Sequence, residues 1–158
     1  MSAALIMALL FTSLLMVITA YFLMGSVPLL ILEHDVPMDA RFVRGFFNIH
    51  YRAAMFAAAA TALSYAFAGR PAFAAGAAAL ALLAAILRRT IVPKMDSLRA
   101  EIQANGRTAI TAFRRLHAAA ILINLVQLAI IVWSLIAISV ERKEAQAATA
   151  PASIRAAT

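Results

Sequence analysis

The side chains of this sequence best suited to chemistry are its histidines and two amides within its last apolar run. His117, Asn124 and Gln127 are separated by seven and three residues, a spacing that keeps them on one stripe of an α-helix. At 1.5 Å per residue, Asn124 lies about 10 Å beyond His117 and Gln127 about 15 Å. The residues around them are apolar. An amide facing lipid is costly, so both amides should turn towards neighbouring helices. A second stripe runs through His50, Ala54, Ala57, Thr61 and Ser64, small enough for close helix approach and polar enough to hydrogen-bond. The two stripes are expected to pack together.

An imidazole titrating near neutrality can act as a base, a hydrogen-bond partner or a metal ligand. His50, His117, Asn124 and Gln127 are therefore the candidate ligand-binding residues, with Arg52 and Arg114, beside Arg44 and Arg115, placed to ring the mouth of a polar pocket. A plainer reading stands next to this one. Amides inside membranes commonly bond across helices, and arginines beside apolar spans commonly meet lipid phosphates. His34, between Glu33 and Asp35, reads as a solvated loop residue.

Two histidines could ligate a b-type haem or copper, with soft sulfur from Met24, Met38 or Met55. No His-x-x-x-His or Met-x-x-Met spacing supports that, so no metal or cofactor is assigned. The absence of cysteine removes disulfides, thiolate metal sites and iron–sulfur ligation. No glycine-rich phosphate loop or nucleophile elbow occurs, and no carboxylate falls inside an apolar run. No catalytic residue is assigned, and whether the chain is an enzyme stays open.

The elements that must position these groups follow from composition. Hydrophobic residues make up 65% of the 158 and charged residues 13%, about half the soluble norm of roughly 25%. A soluble domain of this size could not hide so much apolar surface, so lipid must be its solvent. Apolar runs predict four membrane spans, over about 4–32, 46–69, 71–89 and 112–140. The expected fold is all-α, an integral membrane four-helix bundle formed by residues 1–140. Pro28 should bend or end the first helix, and Gly69-Arg70-Pro71 should turn the second into the third. Ile91, Met95, Leu98 and Ile102 recur at helical spacing, which makes the polar segment 88–115 a helical extension or an interface helix. Gly106 should mark the turn into the last helix, and the Ala-, Thr- and Ser-rich stretch 141–158 is expected to be a disordered tail.

The formal net charge of +7 sits beside apolar spans rather than on a soluble face, so nucleic acid is not an expected partner. Ten of the basic residues lie in two segments, 33–52 and 88–115, which four spans place on one side. The positive-inside bias makes that side cytoplasmic and leaves both termini outside, with the bacterial inner membrane as the expected location. The cytoplasmic helix ends then carry His34, His50 and His117.

Ile91-Val92-Pro93-Lys94-Met95, followed by Phe113-Arg114-Arg115-Leu116-His117 and then Asn124-Leu125, resembles a family of small four-span domains of unknown function, distantly similar to copper-resistance D membrane proteins. The likeness covers roughly 88–135, with Phe46-Phe47-Asn48-Ile49-His50-Tyr51 matching in layout. It implies the four-span fold and draws attention to His117, Asn124 and His50. A weaker resemblance links the span arrangement to the anthrone-oxygenase-like membrane family, whose Trp-and-Arg pattern at the final span is missing here. Two functions follow as expectations. One is a small membrane protein with a cytoplasm-facing polar pocket, which binds a small hydrophobic ligand or serves as an accessory subunit, alone or as a homo-oligomer. The other is an oxygenase with His117 or His50 as base and Asn124 as donor to an oxyanion.

Overall fold

The computed structural model describes residues 2–31, 37–104 and 107–149. Four helices account for almost all of them: α1 Ala3–Leu29, α2 Pro37–Phe67, α3 Pro71–Gln103 and α4 Arg107–Thr149. No strand occurs among the described residues. His34 and Gly106 lie outside the described residues.

Local chemistry sets the helix ends. Ser2 is extended and its Oγ accepts from the Leu5 N–H at 3.3 Å, capping α1. Pro28 falls in the last turn of α1, and the helix stops at Leu29. At the end of α2, Gly69 takes φ +70°. The Arg70 N–H reaches back to Tyr65 O at 2.9 Å and the Gly69 N–H to Ala66 O at 3.1 Å, the paired bonds of a Schellman turn. Pro71 then opens α3, where its missing N–H costs nothing. So short a link makes α2 and α3 antiparallel neighbours, and theirs is the most extensive helix contact in the chain.

The polar segment after Arg88 continues α3 rather than forming a separate helix. Ile91, Met95, Leu98 and Ile102 are all buried against neighbouring helices. Pro93 lies inside α3 on its exposed side, with the helix continuing to Gln103. At the other end of the chain, α4 runs on through Glu141 to Thr149, where a disordered tail was expected from 141. Glu141 forms an ion pair with Arg70, and Ala and Gln are good helix formers, which together explain the extension.

Contacts join α1 to α2, α2 to α3, α3 to α4 and α4 back to α1. The expected lengthwise packing of α2 on α4 is thus not what forms. These helices face each other across the centre and are bridged by the side chains of His50 and Asn124. Along the axis the packing falls into three layers. Phe22, Phe47, Tyr51, Met95 and Phe113 fill the layer nearest the polar segments. Leu15, Ala54, Ala58, Ala84 and Ile131 form a thin middle layer, and Ala8, Tyr65 and Ile138 the far one.

The burial pattern is that of a membrane protein. His117 and Asn124 are 0% exposed and Gln127 2%, while Tyr21 is 70% exposed, Met24 77% and Trp133 69%. Polar groups inside and large apolar groups outside is the arrangement lipid solvation demands. Helices α1, α3 and α4 are each long and apolar enough to cross a membrane. α2 carries Arg41, Arg44, Asn48, His50 and Arg52 in its first half, which dilutes its apolar character.

Candidate functional site

The centre of the array is a hydrogen bond between diagonal helices. Asn124 of α4 donates from Nδ2 to its own helix, to Ala120 O at 2.8 Å. That bond settles which way the amide faces. The reverse orientation would set oxygen against oxygen. Asn124 Oδ1 is therefore the atom 2.9 Å from His50 Nε2. A carboxamide oxygen only accepts, so His50 must carry its proton on Nε2, which leaves Nδ1 as a lone-pair acceptor. His50 Nδ1 is buried and makes no hydrogen bond.

Aromatic rings pack around this pair. The His50 ring stacks on Phe22 with centroids 3.9 Å apart and planes at 17°. Phe22 meets the edge of Phe47 at 4.8 Å, and Phe47 meets His117 at 5.2 Å, again edge to face. His50 and His117 are thus linked through two phenylalanines. The Tyr51 hydroxyl lies near the Asn124 side chain, short of hydrogen-bonding geometry. Gln127 Nε2 and Ser26 Oγ are also buried without a hydrogen-bond partner. An unmet buried donor or acceptor costs about 1–3 kcal/mol, and several such atoms concentrate here.

The structure brings His50, His117, Asn124 and Gln127 into the interior, as their spacing predicts. It does not place them in an open cytoplasmic mouth, since all four are buried. The arginines expected to ring that mouth are elsewhere. Arg52 and Arg114 are exposed, and Arg114 lines a shallow groove with Leu30, Thr111 and Arg115. Arg44 grips Asp96 of α3 with both ends of its guanidinium, Nη2 to Oδ2 at 2.8 Å and Nε to Oδ1 at 3.0 Å. Met24 and Met38 point outward, so neither brings sulfur to the histidines. Among the described residues, no three His, Cys, Asp or Glu side chains gather to hold a metal ion.

The way to His50 is sideways. An apolar groove of about 270 Å³, open to the outside of the array between α1 and α2, is lined by Val17, Tyr21, Phe22, Phe46, Ile49 and His50. Gly25 permits the close approach of α1 to Phe46, because a Cβ there would stand 2.7 Å from Phe46 Cζ. Phe22 and Phe46 stack at 5.4 Å beside the groove. The sequence drew attention to Phe46 only as part of the segment before His50, and Phe22 not at all, because an isolated phenylalanine in an apolar run looks like an ordinary lipid-facing residue. A second cavity of about 330 Å³ lies towards the far end, with Thr12, Tyr65, Phe73, Ile131, Trp133 and Ser134 in its lining. The hydroxyls of Thr12 and Tyr65 are 3.2 Å apart there.

Fold and site together define a helical membrane protein with an enclosed polar centre beside an outward-opening apolar groove. No protein-family model, curated protein or solved structure matches the chain.

Proposed function

We propose that the chain is a four-helix bundle crossing the bacterial inner membrane four times, with both polar segments cytoplasmic, and that it binds a small hydroxyaromatic molecule taken from the bilayer. One observation carries this reading. His50 lines the lipid-facing groove with Nε2 held by Asn124 and Nδ1 unmet. A phenolic or hydroquinone hydroxyl donating to Nδ1 would offset the cost of that buried acceptor. The phenylalanine rings beside it suit a flat aromatic body. Asn124 acts as a positioning residue, because its oxygen holds His50 and its nitrogen is tied to Ala120. That weakens its expected role as an oxyanion donor.

The four-span reading draws support from α2, whose second half, 53–67, carries no charged residue and packs along α1 and α3. Kinship with the small four-span domains of unknown function belongs to the same proposal. It rests on Pro93, His117 and Asn124.

The direct test is photolabelling in membranes with a 4-alkylphenol that carries a diazirine on its alkyl chain. Label should map to peptides containing Val17–Phe22 and Phe46–Ala53, and His50→Ala should abolish it. Label spread evenly over the lipid-facing surface, or unchanged in His50→Ala, would sink the proposal. The oxygenase reading uses the same atom, since Nδ1 could take the hydroxyl proton. Consumption of oxygen on adding an alkylated hydroquinone would favour it over simple binding. A protein that co-purifies in fixed ratio, without phenol labelling, would instead favour the accessory-subunit role.

A further inference from the structure

We infer that a second binding site, for the phosphate of an anionic phospholipid, lies between α2 and α3 at the helix ends nearest the polar segments. A cleft of about 460 Å³ is bounded there by Met38 and Arg41 of α2 and by Arg99 and Gln103 of α3. The two arginines differ from their neighbour Arg44, whose charge is met by a bidentate bond to Asp96. Among the described residues no carboxylate lies within ion-pair distance of Arg41. Arg99 has only a long contact, Nη2 to Asp96 Oδ1 at 4.0 Å, and its Nε is buried with no hydrogen-bond partner. Across Arg41, Arg44, Asp96 and Arg99, a single carboxylate meets Arg44 and, at long range, Arg99, and Arg41 is left without one. The excess positive charge faces the cleft, and guanidinium forks match phosphate oxygens.

Depth and surroundings favour a lipid over a soluble phosphate. Measured from the Phe22–His50 stack at 1.5 Å per residue, α1 ends about 10 Å away and Arg41 stands about 13 Å away. The cleft therefore sits just past the end of the apolar run of α1, where headgroups meet hydrocarbon. Met38 and Phe42 flank Arg41 and are 65% and 62% exposed. A lipid can lay its chains against those two side chains while its phosphate takes the guanidinium groups; a free phosphate cannot use them. Juxtamembrane arginines gain most from anionic lipid on the cytoplasmic leaflet, which is where the proposed orientation places this cleft.

The test is lipid retention by the full chain, read by native mass spectrometry after release from nanodiscs of phosphatidylglycerol mixed with phosphatidylcholine. Phosphatidylglycerol should be retained in preference, with one tightly held molecule per chain. Arg41→Gln and Arg99→Gln should each weaken retention about five-fold, the weight of one basic residue at an anionic surface. Arg41→Lys should keep most of it, and Arg114→Gln, outside the cleft, should change nothing. Equal retention of both lipids, no loss in either glutamine variant, or an equal loss in Arg114→Gln would overturn the assignment. Displacement of the lipid by millimolar inorganic phosphate would overturn its lipid source and leave a soluble-phosphate site. All the substituted side chains are at least partly exposed, so these variants should fold.

Discussion

His50 Nε2 and Asn124 Oδ1 meet at 2.9 Å across the diagonal of the helical array, although the residues are 74 positions apart in the chain. This bond joins two helices that share no lengthwise contact. It also fixes the tautomer of the imidazole that lines the α1/α2 groove. A bond in that position affects stability and site geometry together.

A double-mutant cycle on His50→Ala and Asn124→Ala should therefore show coupling of about 1 kcal/mol, in the range for hydrogen bonds between membrane helices. Denaturant-induced unfolding in detergent micelles would measure it. Additive single-mutant effects would mean that the bond does not hold the helices. Asn124→Asp is expected to destabilise more than Asn124→Ala, because it places a carboxylate at a fully buried position.

Gly25→Ala should shrink the groove. Its new Cβ would lie 2.7 Å from Phe46 Cζ, forcing the ring aside and disturbing its stack on Phe22. The expected cost is about 1 kcal/mol of stability, together with reduced labelling by the photoreactive phenol. Gly76→Ala, where nothing lies within 4 Å of the added carbon, serves as the silent control.

The Arg44–Asp96 pair is about one-third exposed on each side. Solvent screening limits a pair of that kind to about 0.5–1 kcal/mol even with bidentate geometry. Asp96→Asn should cost that much in low salt and progressively less as salt is raised. It should also free the charge of Arg44 and tighten retention of anionic lipid. An unchanged salt dependence would contradict the first expectation.

Whether α2 crosses the membrane is open to a simple labelling experiment, because the chain has no native cysteine. Met38→Cys and Glu101→Cys should react with a membrane-impermeant maleimide from the same side. Two residues labelling from opposite sides would mean that α2 does not cross. Both positions are exposed in the structure.

Much of the architecture can be read from one-dimensional patterns. Long uncharged runs predict membrane helices, and Gly69-Arg70-Pro71 specifies an antiparallel turn because only glycine takes φ +70° cheaply there. The stripe of His117, Asn124 and Gln127 points inward because lipid cannot solvate amides. These inferences depend on local periodicity and on the solvent, both of which are legible along the chain.

Which helix faces which was not legible, and the site depended on it. His50 and Asn124 were expected to meet through close packing of α2 on α4; instead they reach across from diagonal positions. The amide orientation, the His50 tautomer and the sideways opening all follow from that arrangement. Arg44 was expected at a pocket mouth and is neutralised by Asp96, while Arg41 and Arg99, which counted in the sequence only towards topology, are left facing a cleft. Helical periodicity tells each side chain whether it points in or out, and the sequence by itself determined that much. Choosing among inward-facing partners takes the distances and angles of side chains from all four helices at once, and only the tertiary structure supplies them.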